Sequence, residues 1–205
     1  MSGRSAKPEI VVATRNTAKV SEIREIIGGA MRVLSLSDVG FEQEIEETGE
    51  TFVDNAILKA TAVADGTGLL TIADDSGLMV DALDGRPGVK SARYGGEGLS
   101  DAERIALLLD ELKDVPRGQR GAEFVCVIAL AAPRHVLSTW AGRVYGLIAD
   151  EPRGTGGFGY DPVFFYLPAR KTFAEMSRQE KNTVSHRGRA VRQLPRRLRE
   201  IGAAM

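Results

Sequence analysis

The run Ala73-Asp74-Asp75-Ser76-Gly77-Leu78 sets two adjacent carboxylates, a hydroxyl and a glycine directly after an apolar stretch. Carboxylate oxygens suit a hard divalent cation, and in a pair one can ligate while the other orients or deprotonates water. Downstream, Gly156-Gly157-Phe158-Gly159-Tyr160-Asp161-Pro162 places two aromatic rings and a carboxylate among glycines. Glycine lets a backbone approach a ligand closely, and either Phe158 or Tyr160 could stack on a flat ring. Together the runs point to metal-assisted chemistry on a nucleotide. Each also has a plain structural reading, the first as a strand end with an Asx turn, the second as a packed turn with core aromatics.

Three more segments carry suitable groups. Thr14-Arg15-Asn16-Thr17-Ala18-Lys19 lies between a strand pattern and a helix pattern. The free amides and partial positive charge of a helix N-terminus favour a phosphate there, with Lys19, Arg15 and Asn16 adding charge and donors. The spaced glycines of a Walker loop are missing. Glu42, Glu44, Glu46, Glu47 and Glu50 crowd one loop, either facing water or sharing a divalent cation with Asp74 or Asp75. Lys181-Asn182-Thr183-Val184-Ser185-His186-Arg187 offers cations and donors, and its polar setting makes His186 a surface or site residue. There is no His/Cys cluster of the kind a structural zinc needs. Arg189, Arg192, Arg196, Arg197 and Arg199 fall near a helix C-terminus and read as a solvated face.

The elements that must position these groups follow from periodicity. Ile10 to Ala13 predicts a buried strand, and Val20, Ile23, Ile26 and Ile27 a helix ended by Gly28-Gly29. Met31 to Leu36 predicts a second strand. Thr51 caps a second helix whose small face is Phe52, Ala56, Ala60 and Ala64. Leu69 to Ala73 predicts the strand that delivers Asp74 and Asp75 at its end. Residues 77–98 read mostly as loop, with a short strand at Leu78 to Val80. Ser100-Asp101-Ala102-Glu103 is a capping box opening a helix with Ile105, Leu108, Leu109 and Leu112 inward. Glu123 to Ala131 and Val136 to Tyr145 predict an antiparallel hairpin turning at Pro133 to His135. Residues 150–162 form a glycine-rich loop. Loop and helix alternate from Ser177 to Ile201, with a kink or stop expected at Pro195. The pattern predicts an α/β fold with a mixed sheet.

The whole chain sets bounds. Its 205 residues suffice for one domain, or two closely joined lobes. A net charge of −1 gives no bias towards nucleic acid or membrane, so neither is expected as a partner. The single cysteine, Cys126, excludes an intramolecular disulfide, fits a reducing cytoplasm, and sits in an apolar run as a buried strand residue. No run is long and apolar enough to span a membrane, and the first residues lack a signal-peptide h-region. Residues 1–8 read as a flexible lead-in to a single domain over 1–205.

As an ordered set, the motifs are more specific than any one of them. Thr14-x-Asn16-x-x-Lys19-x-x-Glu22, Glu46-Glu47-Thr48-Gly49, Asn55-Ala56-x-x-Lys59-Ala60, Asp74-Asp75-Ser76-Gly77-Leu78, Pro87-Gly88-x-x-Ser91-Ala92-Arg93-Tyr94, Gly157-Phe158-Gly159-Tyr160-Asp161-Pro162, Glu180-Lys181-Asn182 and Ser185-His186-Arg187-Gly188 resemble the inosine triphosphate pyrophosphatase family, in its bacterial-type branch. The resemblance runs from Ile10 to Ile201. It implies an elongated two-lobed α/β fold around a long mixed sheet, with a nucleotide cleft between the lobes. It implies a Mg²⁺-dependent cytoplasmic homodimer that hydrolyses ITP, dITP and XTP to the monophosphate and pyrophosphate. By position, Thr14, Arg15, Asn16, Thr17, Ala18 and Lys19 would bind the triphosphate. Glu46 and Asp75 would hold Mg²⁺, with Asp75 as proton acceptor. Ser76 would touch the substrate. Phe158, Gly159, Tyr160 and Asp161 would hold base and sugar, and Lys181, His186 and Arg187 would complete the purine pocket.

Ala18 and Arg15 stand where the family often has small residues, Glu123 where it often has a base, and Pro195 interrupts the last helix; none removes a proposed catalytic group. A 6-keto purine accepts hydrogen bonds from His186 or Arg187, whereas the 6-amino group of adenine leaves a buried donor unpaired at about 1–3 kcal/mol. The alternatives are a pyrophosphatase of broader or different specificity and a non-catalytic nucleotide-binding protein.

Overall fold

The structure, a computed structural model, describes residues 7–204. Of the expected lead-in, residues 1–6 lie outside the described residues, and Lys7 and Pro8 are exposed and irregular. The fold is mixed α/β with a seven-stranded sheet in the order β2-β1-β3-β4-β5-β6-β7, whose strands are given below. The chain forms two compact units, Met1–Asp75 with Val127–Trp140 and Ala190–Met205, and Ser76–Cys126 with Ala141–Arg189.

In the first unit, β1 (Glu9–Val12) pairs in parallel with β2 (Arg32–Leu34), Ile10 opposite Val33, and with the start of β3 (Thr71–Val80), Val11 opposite Thr71. Ile10, Val11, Val12 and Ala13 are fully buried, as expected of an interior parallel strand. The helix α1 (Thr17–Ile27) joins β1 to β2, and Gly28, at φ 60°, ends it where a side chain would be strained. The helix α2 (Phe52–Thr67) joins β2 to β3. Thr51 and Asp54 form a full capping box at its start.

These two crossovers run in opposite directions along the sheet. Because such connections are right-handed in about 98% of cases, α1 and α2 lie on opposite faces. The first unit also holds the tight turn between β4 (Gly121–Ala132) and β5 (His135–Ile148), a two-residue connection that makes the neighbouring strands antiparallel. The helix α6 (Leu194–Ala204) belongs here too, with the Arg197 guanidinium over Trp140, 5.8 Å from the ring centroid.

The second unit packs α3 (Asp101–Glu111) over a core of Leu78, Val80, Leu108, Leu112, Phe124, Val144, Phe164 and Phe173. Ser100 and Glu103 close the predicted capping box. Just past the other end of α3, Arg120 donates to the carbonyls of its C-cap Leu112 and of Val115. The strand β6 (Phe164–Tyr166) continues the sheet antiparallel to β5, β7 (Lys171–Thr172) lies antiparallel to β6, and α4 (Arg178–Val184) and α5 (His186–Val191) follow.

One expectation needs correction, and two other segments are sharpened. The strand carrying Asp74 and Asp75 does not end there but runs on to Val80, absorbing the separate short strand expected at Leu78. Being interior in the strand order, β3 has hydrogen-bonding neighbours on both sides, and lysines take up its two charges. The stop expected at Pro195 falls just before it: α5 ends at Val191, and Pro195 is the second residue of α6, in the first turn, where a missing N–H costs nothing. The last strands, β6 and β7, have three and two residues, too short for their alternation to show in the sequence.

Candidate active site

The phosphate-loop candidate is built by local hydrogen bonds. Asn16 has extended backbone and its Oδ1 accepts from the Lys19 N–H at 3.1 Å, making it the N-cap of α1. Thr14 Oγ1 in turn accepts from the Asn16 N–H at 3.2 Å. No acidic residue sits in the first turn of α1, so the positive end of the helix is left for an external anion. Thr14, Arg15 and Thr17 also line a cavity of about 590 Å³ with Arg24, Ser35 and Ser37. The Arg15 side chain is turned to the acidic loop, its Nη2 donating to the Glu42 carbonyl at 2.5 Å and the Gln43 carbonyl at 3.2 Å.

The aspartate pair divides along the pleat of β3. Successive strand residues face opposite sides of a sheet, and the helices on the two sides each offer a lysine. Lys19 Nζ of α1 donates to Asp74 Oδ1 at 2.5 Å. Lys59 Nζ of α2 donates to Asp75 Oδ1 at 2.7 Å and to Glu47 Oε1 at 2.8 Å. Asp74 and Asp75 are both buried. Burial pushes the Asp75 carboxyl above its ordinary value, with the ammonium groups of Lys59 and Lys19 opposing and Glu47 adding to the rise. Burial acts to lower the Lys59 ammonium, but Asp75 and Glu47 outweigh it and the group is raised. A charged lysine thus lies against a carboxylate whose affinity for protons is enhanced.

Lys59 is the participant that residue-by-residue reading gave no role, and Glu47, read there as a loop glutamate that faces water or shares a cation, is its partner. The signal for Lys59 was available, because it lies on the buried face of α2 with Asn55, Ala56, Ala60, Val63 and Ala64. A lysine on such a face requires a partner. Glu46, by contrast, is exposed, and the contact to Lys59 comes from its neighbour Glu47. Among the described residues no three His, Cys, Asp or Glu side chains gather into a metal cage. The donors at hand are carboxylate oxygens, the ligand type of a hard cation that also takes waters and substrate phosphates, so they fit Mg²⁺.

The second unit contributes a separate set. Asp161 Oδ2 accepts from the Phe158 N–H at 2.9 Å and from Lys181 Nζ at 2.5 Å, both charged side chains being buried. Gly157 has φ 73°, and a Cβ there would collide with the Asp161 carboxylate, so only glycine fits the turn. The partly buried Phe158 ring has two cations near it, Lys181 Nζ at 4.8 Å and Arg187 Cζ at 5.5 Å from its centroid. Arg187, only 1% exposed, also reaches Ser76 Oγ at 3.2 Å.

His186 is not at the surface: it is buried and stacks on Phe124, ring centroids 4.6 Å apart and planes 14° apart. Tyr160 is also placed differently from a stacking ring. It is buried in the apolar core, its hydroxyl donates to the Ser91 carbonyl at 3.0 Å, and burial pushes its phenol well up. Of the two aromatic candidates, Phe158 is the one with a partly open ring, and Gly159, also partly open, donates its N–H to Asp101 Oδ2 at 2.7 Å.

The chain is similar to several known proteins. The dITP/XTP pyrophosphatase of Geobacter sulfurreducens is 53% identical over 183 residues, 89% of this chain and 92% of its own length. That of Bacillus subtilis is 49% identical over 191 residues, 93% of this chain and 96% of its own. The solved structure of the Staphylococcus aureus Ham1 protein superposes with a TM-score of 0.83 at 42% identity, covering 94% of this chain and 98% of that one. The Ham1 family profile matches residues 10–197, which takes in every candidate site residue, and the chain therefore belongs to the Ham1 family.

Proposed function

We propose that this protein is a Mg²⁺-dependent nucleoside-triphosphate pyrophosphatase that hydrolyses dITP, XTP and ITP to the monophosphate and pyrophosphate, acting as a homodimer. The observation that carries the reading is the aspartate pair of β3, with Asp74 held by the lysine of the phosphate turn and Asp75 held by Lys59. The names of the Geobacter and Bacillus relatives support the substrate class. No helix among the described residues is long and apolar enough to cross a membrane.

Each residue then has a task. The turn Thr14–Lys19 takes the triphosphate, with the N-terminal amides of α1 and the Lys19 ammonium on its oxygens. Binding exchanges the Lys19–Asp74 pair for a Lys19–phosphate pair. Asp75 accepts the proton of the attacking water at a carboxylate oxygen, and its raised proton affinity suits that role. Lys59 keeps Asp75 ionised until then and fixes its orientation. Glu46 and Asp75 would hold Mg²⁺, which when bound offsets charge on the departing pyrophosphate. In the second unit, the Phe158 ring stacks on the purine, and Lys181, His186 and Arg187 supply the donors that a keto-purine accepts and adenine does not, while Ser76 and Asp161 orient the nucleoside.

The test is Mg²⁺-dependent pyrophosphate release across ITP, dITP, XTP, GTP and ATP. Preference for the first three supports the reading. Equal kcat/KM for ITP and ATP would refute the base selectivity, and binding without turnover would refute the enzyme.

A further inference from the structure

The acidic loop of residues 42–50 has no regular secondary structure, yet it carries five glutamates, whose mutual repulsion works against a single conformation. Few groups hold it. Phe41 packs against Gly66 of α2, where an added Cβ would come within 2.7 Å of the ring. Lys59 grips Glu47, and Asn55 Oδ1 accepts from the Gly49 N–H at 2.8 Å. These three anchors come from α2 or pack on it, and a further one reaches the stretch between Phe41 and Glu47 from elsewhere. That contact is Arg15, whose single Nη2 donates to the carbonyls of both Glu42 and Gln43. Arg15 belongs to the turn that opens α1, not to α2, so it joins the loop to the other helix.

We infer that Arg15 is a positioning residue: it ties the acidic loop to the phosphate-binding turn and so fixes the loop's glutamates relative to the bound triphosphate. This rests on the reading above that the turn and the loop serve one substrate. A guanidinium suits the task because it is always charged and presents several donors in a plane, so it can serve two neighbouring carbonyls. Its hydrogen bonds to them leave Lys19 and the α1 amides as the groups for phosphate oxygens.

Three variants test the inference: Arg15→Ala, Arg15→Lys and, for the underlying reading, Lys19→Ala. In ligand-free protein, the ¹⁵N heteronuclear NOE of Gln43 to Glu46 should fall in Arg15→Ala and be partly restored in Arg15→Lys, with the unfolding midpoint unchanged because Arg15 is exposed. In turnover of XTP, Arg15→Ala should need about tenfold more Mg²⁺ for half-maximal rate and lose kcat, with KM held within about twofold. Unchanged loop NOE and Mg²⁺ requirement would overturn the tether. A rise in KM alone, with the loop as ordered as before, would overturn it too and assign Arg15 to the phosphates directly. Lys19→Ala with wild-type turnover would remove the phosphate-turn reading instead, an outcome the ligand-free NOE arm does not depend on.

Discussion

One ammonium holds two carboxylates from different parts of the chain: Lys59 Nζ lies 2.7 Å from Asp75 Oδ1 on β3 and 2.8 Å from Glu47 Oε1 on the acidic loop. The Lys59 and Asp75 side chains are only 10% and 9% exposed, so both charges have left water and depend on each other. Removing one partner of such a pair leaves the other buried and uncompensated.

Lys59→Met should therefore lower the unfolding free energy by about 3–5 kcal/mol, and Lys59→Met combined with Asp75→Asn should recover much of that loss. Urea unfolding of the single and double variants checks it. Additive losses would mean the pair is not coupled. Asp75→Asn alone should cost about 10²-fold or more in turnover, since it removes the proton acceptor.

The neighbours Glu46 and Glu47 should separate by assay. Glu46 is exposed and Glu47 is bonded to Lys59. Glu46→Gln should raise the Mg²⁺ concentration needed for activity and leave the urea midpoint alone. Glu47→Gln should lower the unfolding free energy by about 1–3 kcal/mol for a weakened charge-assisted bond, and the midpoint with it. The reverse pattern would exchange their roles.

Phe158→Leu keeps an apolar side chain but removes the ring flanked by Lys181 and Arg187. A loss of about 1 kcal/mol, roughly a fivefold rise in KM for XTP, is expected from the missing stacking. An unchanged KM would show that the base rests elsewhere.

Acid should destabilise the protein through its caps. Glu103 is held below the usual carboxylate range by the Ser100 hydroxyl and N–H, and Glu175 and Glu180 by the N–H of Thr172 and of Ser177 and by the hydroxyls beside them. A carboxyl depressed by folding contributes stability above its unfolded value and loses it as pH falls through the folded one. The melting temperature should thus fall below about pH 4.5, and Glu103→Gln should show a shallower fall, starting from a lower plateau. An equal slope in wild type and variant would exclude the cap as a source.

The local part of the fold was readable. Thr51 and Ser100 announce helix starts by chemistry confined to four residues, and the apolar runs at Ile10 and Phe124 are strands because nothing else buries them. What escaped was set by distant partners. The continuation of β3 beyond Asp75 depends on neighbouring strands and on lysines far away in sequence, 55 and 16 residues in the two pairs. His186 looks polar from its neighbours, yet Phe124 supplies a flat surface for it in the core. At the site, the residue types were legible, whereas the pairing of Lys59 with Glu47 rather than a role for Glu46 there required the loop's actual path.

The alternation of Asp74 and Asp75 has a consequence for how the sheet is assembled. If β3 slid by one residue, every side chain would change faces. One direction of slip would set Ser76 before Lys59; the other would set Ala73 before Lys19. The first mistake leaves the buried Lys59 with Glu47 alone, and the second leaves the partly buried Lys19 without its counter-charge. The two ion pairs thus proofread strand alignment: a chain that misaligns β3 is penalised first at the residues proposed to meet the substrate.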